Sequence, residues 1–593
     1  MWQRTSLTAR WAIFVVLAAL ALAAINVWWF ETYRRGYPFD IDEAGYTTFG
    51  LVDYLGLKNG GLHGWWDAIQ GQPTFAPLVP ALTSLVVFVK PGILDGFLVL
   101  TAFLIVLAMA VYGIGERLAG PRLGALAALV TATIPGTFAF AREYIFALPV
   151  AALLACAVFA LLRSDGMRRR RWAIACGAAI GLMLLTRTMA ITYVPGVLIA
   201  ALVAMFARGR GDLPGRFVNL ALLIVTAVAV AATWYARNLQ SVIDYLTNYG
   251  YGKQSEFYGR DHSLISWGRL RSVAEHMTSE DLFLPLAAIL SIAFVAMVVV
   301  VAKRLRPPEG RRVELQRLAG TDAFSVAIVF VIGYGGLMSS QNGGDGFTFP
   351  LAALLPPLAF LALRRFPSAF RPAVAILALV AAVNLVSTST IWATASHTRL
   401  VSVPGFSESF PLTKGVPKAV FAVRAQIPGS ETIFDYRDAQ WPKADMAVAD
   451  LLAGLYGPNG EAPVVAFASR NRALNSNTVQ LASVVKYHRG LPLIQIEAEP
   501  TDSVATYSDQ LTDSRLGAAS VLITVDPSTD DFPPIVTQSY AETAAKRLGF
   551  RKIRKIKLPD DRLLYVWLKG AAPNPAPSPP PDPSAPAPGS PRG

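Results

Sequence analysis

The chain has 593 residues, of which 53% are hydrophobic and 16% charged, well below the roughly 25% charge of soluble chains, so a wholly soluble protein is excluded. The formal charge of +13 would suggest nucleic acid in a soluble protein, but Arg and Lys cluster in short loops between apolar blocks, as membrane topology requires. The two cysteines, Cys156 and Cys176, lie inside apolar blocks and supply neither a disulfide framework nor zinc spacing.

The first apolar block, 11–30, lacks a small-residue cleavage site and runs into Val27-Trp28-Trp29-Phe30, an aromatic interface belt. It reads as a retained span of the roughly 20 residues that cross a bilayer. Further spans are predicted at about 93–115, 122–139, 144–162, 172–186, 190–206, 217–235, 282–302, 323–339, 349–363 and 372–392, about eleven in all. Alternate loops are basic: Arg117 and Arg122; Arg163 with Arg168 to Arg171; Arg208, Arg210 and Arg216; Lys303 to Arg312; Arg364, Arg365 and Arg371. The positive-inside rule then puts the N-terminus in the cytoplasm and the C-terminus outside. Arg34 and Arg35 break the rule mildly. The segment 75–90 is read as re-entrant or surface-lying, because a full span there would invert everything after it.

The predicted architecture is an α-helical polytopic membrane protein followed by an extracytoplasmic α/β domain. The membrane domain is 1–393, with outward loops at 31–92 and 236–281, and the α/β domain is 394–570. Strand-like runs at 463–467, 519–525 and 564–567 alternate with helical patterns near 444–456 and 538–548. The Pro-rich tail, 571–593, lacks the large apolar residues a core needs and is expected to be disordered. No internal repeat of fixed period is evident.

Three carboxylates, Asp40, Asp42 and Glu43, stand about ten residues beyond the first span. The plain reading is a helix N-terminus, where acids are favoured. The functional reading is a general base at the membrane surface that removes a proton from an acceptor hydroxyl. Arg142, Arg187 and Arg237 lie at span ends expected to face outward. Each alone fits a snorkelling side chain; together they suggest an anion site, because guanidinium binds phosphate in a fork and keeps its charge when partly buried.

These features resemble the GT-C superfamily of membrane glycosyltransferases, in particular the branch of protein O-mannosyltransferases and aminoarabinose-to-lipid-A transferases. The resemblance covers about 1–393 and is carried by short motifs in order: Asp42-Glu43-Ala44-Gly45-Tyr46, Gly181 to Arg187, Trp234-Tyr235-Ala236-Arg237-Asn238, Tyr249 to Gly259, and Phe349 to Pro357. It implies transfer of a sugar from a polyprenyl-phosphate donor to an extracytoplasmic glycan, lipid or protein, usually with inversion at C1, by a plasma (inner) membrane enzyme. Asp42 matches the family's catalytic aspartate, with Asp40 a secondary candidate and Glu43 orienting the loop or acceptor. Arg142, Arg187 and Arg237, beside Glu143 and Asn238, are the expected donor-binding residues, and Lys253 and Gln254 are expected to close over donor or phosphate.

Two departures are visible. Phe146 and Ala147 stand where many relatives carry an acid after the arginine, with Glu143 as a displaced substitute. Gly71-Gln72-Pro73 replaces a His-Pro-Pro or Lys-Pro-Pro motif. Both bear on acceptor handling and on any metal site. His63 and His262 lack ligand-like spacing, so no structural zinc is expected, while a single divalent cation shared with the phosphate is compatible. The competing readings are a lipid-linked-sugar transporter or flippase, disfavoured by the lack of repeats, and a non-catalytic cell-envelope scaffold.

Overall fold

The structure is a computed structural model. It describes residues 2–34, 39–89, 92–208, 211–252, 255, 265–282, 284–305, 311–340, 343–344, 346–389, 399–403, 406–410, 440–456, 461–471, 473–497, 503–514, 516–527 and 536–570. The tail 571–593 and the residues Lys253 and Gln254 lie outside the described residues.

Helices dominate the N-terminal part. In chain order they are α1 Trp2–Trp29, α2 Ile41–Gln70, α3 Leu78–Val89, α4 Phe97–Ala119, α5 Pro121–Thr133, α6 Pro135–Arg142, α7 Ala147–Arg163 and α8 Arg170–Leu184. They continue as α9 Val194–Ala207, α10 Leu213–Tyr251, α11 Trp267–His276, α12 Leu284–Leu305, α13 Arg311–Ala319, α14 Asp322–Met338, α15 Phe349–Ala352, α16 Leu355–Leu363 and α17 Pro367–Ser389.

Among the described residues, the apolar blocks expected to span are largely helical, but length separates them. Among the described residues, five helices are long and apolar enough to cross a membrane, or up to seven if each bent pair is one span. The first bent pair, α5 and α6, turns by 54°. Its cause is Pro135, which forces Ile134 out of the helical region to ψ 153°. The other expected spans are shorter apolar helices such as α7 and α16. Helix α3, in the segment expected to be re-entrant or surface-lying, has 12 residues and at about 1.5 Å per residue covers about 18 Å, short of a ~30 Å hydrocarbon core. Helix α10 is the opposite case. It has 39 residues, so the chain after the expected span 217–235 continues as helix through Tyr251 rather than as a loop.

Close packing of α8 on α10 depends on two glycines. A Cβ at Gly177 would stand 2.2 Å from the Leu223 carbonyl, and one at Gly181 would stand 2.8 Å from that of Ala227. This four-residue spacing of small residues lets helix backbones approach, and it sets the end of α8, with Arg187 beyond it, beside the middle of α10.

The basic loops are joined by ion pairs. Arg117 Nε donates to Asp322 at 3.1 Å, and Arg208 bonds the other oxygen of Asp322 and also pairs with Asp165 at 3.2 Å. Arg163 pairs with Glu116 at 3.2 Å and Arg168 with Asp165 at 3.6 Å. The loops after α4, α7, α9 and α13 therefore meet at one end of the bundle.

The described residues group into two compact units, 1–442 with 472–490, and 443–471 with 491–593. The first also holds the antiparallel pair β1 Arg399–Val403 and β2 Phe406–Phe410 and helix α19 Ser476–Tyr487. The second has helices α18 Trp441–Ala453, α20 Val504–Thr512 and α21 Gln538–Arg547 and a five-stranded mixed sheet. Its strands are β3 Val465–Phe467, β4 Leu493–Gln495, β5 Val521–Asp526, β6 Phe550–Lys557 and β7 Leu563–Lys569, in the order β4-β3-β5-β7-β6. Strand β3 runs parallel to β4 and β5, and β7 antiparallel to β5 and β6. Leu522, Ala544, Tyr507 and Trp567 are buried in its core, where the Trp567 indole donates to Thr524 Oγ1 at 3.0 Å. The α/β expectation holds: β3, β5 and β7 fall on the runs read from sequence, whereas β4 and β6 were not read there.

Candidate active site

Helix α2 begins with a capping box. The Asp40 carboxylate accepts from the Asp42 amide at 2.9 Å, and Glu43 reaches back to the Asp40 amide at 3.2 Å. Glu43 is fully buried, and its other oxygen accepts from the Tyr144 amide at 2.8 Å. One carboxylate thus closes the helix end and ties it to the turn after α6. Asp42, the next position on the exposed side, presents its carboxylate to solvent. The three acids divide into a cap, a staple and an exposed carboxylate.

The face of α2 below Asp42 is aromatic. Tyr46 packs on Phe146 with ring centres 4.3 Å apart and edge-on against Phe75 at 5.7 Å. Phe49 packs on Phe75 at 5.1 Å, and Phe75 reaches Tyr245 of α10 at 6.0 Å. Burial raises the pKa of the Tyr46 hydroxyl, the Asp42 charge raises it further, and the Arg187 charge lowers it. Asp42 and Arg187 therefore act on one phenol from two different elements.

Arg187 follows α8, and its guanidinium lies over the Phe347 ring at 4.4 Å. It lines a small groove whose other walls are mostly apolar, including Val150, Met189, Leu337 and Pro350. A cation at the head of an apolar groove suits an anionic head group on a hydrocarbon tail.

Arg142 has a different setting. It is 2% exposed, donates to Asn26 Oδ1 of α1 at 3.0 Å, and stacks on Trp29 at 4.4 Å and Phe138 at 5.0 Å. Glu143 beside it is buried. Arg237 is exposed on α10, while Asn238 is buried and donates to Gln70 Oε1 at 3.4 Å, and Gln70 Nε2 donates to the Thr233 carbonyl at 3.0 Å. That pair fixes the end of α2 against α10. Of the residues expected from sequence, Asp42 and Arg187 both act electrostatically on Tyr46, Asp40 caps α2, Glu43, Arg142 and Asn238 connect elements, and Arg237 lies on an exposed face.

Asp53 and Tyr245 were not singled out in the sequence, and Tyr46, Gln72 and Phe75 entered it only as parts of motifs or segments, without a role of their own. Asp42, Tyr46, Phe49 and Asp53 recur at spacings of four, three and four, which is one helical face; that is the signal available. Asp53 is fully buried, accepts from Gln72 Nε2 at 3.2 Å, and is pushed up to about 8 by burial. Among the described residues, no three His, Cys, Asp or Glu side chains group to hold a metal ion.

Residues 73–235 match the family model of dolichyl-phosphate-mannose-protein mannosyltransferases. No curated protein matches the chain by sequence. Among solved structures, ArnT from Cupriavidus metallidurans bound to undecaprenyl phosphate is similar at 15% identity and TM-score 0.52, over 94% of this chain and 98% of that one. The apo form of ArnT gives 15% identity and TM-score 0.53, over the same shares of 94% and 98%. The oligosaccharyltransferase AglB from Archaeoglobus fulgidus, in complex with an inhibitory peptide and a dolichol-phosphate, gives 13% identity and TM-score 0.44, over 94% of this chain and 74% of that one. In the fold it shares with ArnT and in the mannosyltransferase match across 73–235, the chain resembles the GT-C membrane glycosyltransferases.

Proposed function

We propose that the protein moves a sugar from a polyprenyl-phosphate donor to a hydroxyl of an extracytoplasmic glycan, lipid or protein, with inversion at C1. The observation that carries this reading is Arg187 at a mostly apolar groove, with Asp42 on the exposed side of the α2 N-terminus and the charges of both residues acting on the Tyr46 phenol. Asp42 takes the proton of the acceptor hydroxyl as its oxygen attacks C1 of the sugar. The C1–O bond to phosphate breaks, and the electron pair leaves on the phosphate. Arg187 stabilises the charge that develops there, and its apolar groove takes the first part of the prenyl chain. Polyprenyl phosphate is a good leaving group, so no acid is needed to protonate it. The bound undecaprenyl phosphate of ArnT supports this donor class. Glu43 and Asp40 hold the base in place, Arg142 and Glu143 brace the turn after α6, and Arg237 and Asn238 line the donor side. The reading places the site on the outer face of a plasma membrane, with the N-terminus in the cytoplasm.

Purified protein, a radiolabelled polyprenyl-phosphate sugar and membrane extract test it. Wild type transfers label, and Asp42→Asn lowers the rate about 10²–10⁴-fold, the usual share of a general base. Equal transfer by both proteins would remove Asp42 from the chemistry.

A further inference from the structure

Residues 472–490 lie between strands β3 and β4 in sequence, yet they group with the membrane unit. The first turn of α19 shows why. Asn475 caps that helix and accepts from the amides of Asn477 at 2.8 Å and Thr478 at 3.1 Å. The Asn477 side chain reaches the other way. Its Nδ2 donates to the main-chain carbonyl of Ile41 at 2.9 Å, a contact between residues 436 apart in the chain. Ile41 is the first residue of α2 and immediately precedes Asp42.

Space at this junction is tight on the α2 side as well. A Cβ at Gly45 would lie 3.0 Å from Asn477 Nδ2 and 3.4 Å from its Cγ. The lack of a side chain at Gly45 is what admits the Asn477 amide. The turn holding Asp42 is therefore gripped twice, by Glu43 on the Tyr144 amide and by Asn477 on the Ile41 carbonyl.

A first helical turn has few intrahelical bonds and frays at low cost. An exposed carboxylate on a fraying turn samples many positions, and misplacement of a reacting group by about 1 Å can lower a rate about 10²-fold. Glu43 restrains only the buried side of this turn; Asn477 restrains its carbonyl.

We propose that Asn477 is a positioning residue for Asp42, so that a helix from the C-terminal third of the chain completes the catalytic turn. The proposal rests on Asp42 being the base. It assigns Gly45 a role too: the gap that lets the clamp close.

The test uses the full chain in detergent, with hydrogen exchange at 41–46 and steady-state transfer read side by side. Asn477→Ala is expected to speed exchange of these amides and lower kcat about tenfold, with donor KM and Tm at wild-type values. Gly45→Ala, which pushes the amide aside, should reproduce that pattern. Asn477→Asp sets an anion beside Asp42 and should move the acidic limb of the pH–rate profile to higher pH, which loss of packing alone would not do. Unchanged exchange and kcat in Asn477→Ala overturn the proposal, as does a kcat that falls only in step with Tm. Should the wild type transfer no sugar while Asn477→Ala still speeds exchange, the glycosyltransferase reading fails and the clamp stands.

Discussion

At one end of the membrane unit, Arg117, Arg163, Arg168 and Arg208 are closed into pairs with Glu116, Asp165 and Asp322. At the other, Arg142 lies over Trp29 and Phe138, and Arg187 over Phe347. A carboxylate partner holds a guanidinium through its charge, and an aromatic face holds one through its ring. The paired end is built to tie loops together, and at the aromatic end Trp29, Phe138 and Phe347 hold two guanidinium groups in place. The contrast also separates the two aromatic-bound arginines, since Arg142 is sealed against α1 and Arg187 lines an open groove.

The largest expected effect comes from exchanging those two arginines for glutamine. Arg187→Gln should lower transfer about 10²–10³-fold, the usual cost of removing one donor to a developing anion, with Tm unchanged. Arg142→Gln should instead lower stability by about 1.5–3 kcal/mol, as for a lost charged hydrogen bond in a buried setting, seen as a drop in Tm in detergent. If Arg142→Gln lost turnover at full Tm, the distinction between bracing and phosphate binding would collapse. Next in size is Asp322→Asn at the paired end. It weakens bonds to Arg117 and Arg208 together and should cost about 1–3 kcal/mol, measured by denaturant or thermal unfolding, while kcat per folded molecule stays at the wild-type value. A specific loss of kcat there would mean that the two ends are coupled.

What the sequence made legible follows from the range of each interaction. The apolar blocks, the alternate basic loops and the strands at 465–467, 521–526 and 563–569 are set by nearby residues, and composition and period revealed them. The Asp40–Glu43 capping box is likewise local, and the plain reading of these acids as a helix start holds alongside Asp42 as base candidate. Asn477 on Ile41 could not be read, because nothing local to either residue records a partner 436 positions away. Phe146 shows a different limit. It was noticed as a missing acid, but its use is to stack on Tyr46, which depends on where α2 lands. The continuation of α10 to Tyr251 escaped notice because the residues after Arg237 lose the apolar character by which spans are recognised.

The smallest effect concerns Asp53, and it asks whether the aromatic end also stores cost. Asp53 lies on α2, outside the candidate spans, and burial pushes its carboxyl from 3.8 up to about 8. Gln72 donates to one oxygen at 3.2 Å, and among the described residues the other oxygen has no hydrogen-bond partner. In the unfolded chain the group titrates near its ordinary value, so between 3.8 and about 8 the folded state binds the additional proton. Stability from this group is therefore fully present below pH 3.8, declines as pH rises, and levels off above about 8. Asn keeps an oxygen for Gln72 and cannot ionise, so Asp53→Asn should remove that decline. The difference in Tm between Asp53→Asn and wild type should be small at pH 5 and shift in favour of the variant at pH 7 and again at pH 9. A difference that stays flat with pH would mean that Asp53 is ionised and solvated in the folded protein. The aromatic end would then tolerate an anion where the burial of Asp53 says it should resist one, and the contrast between the two ends would rest on Arg187 alone.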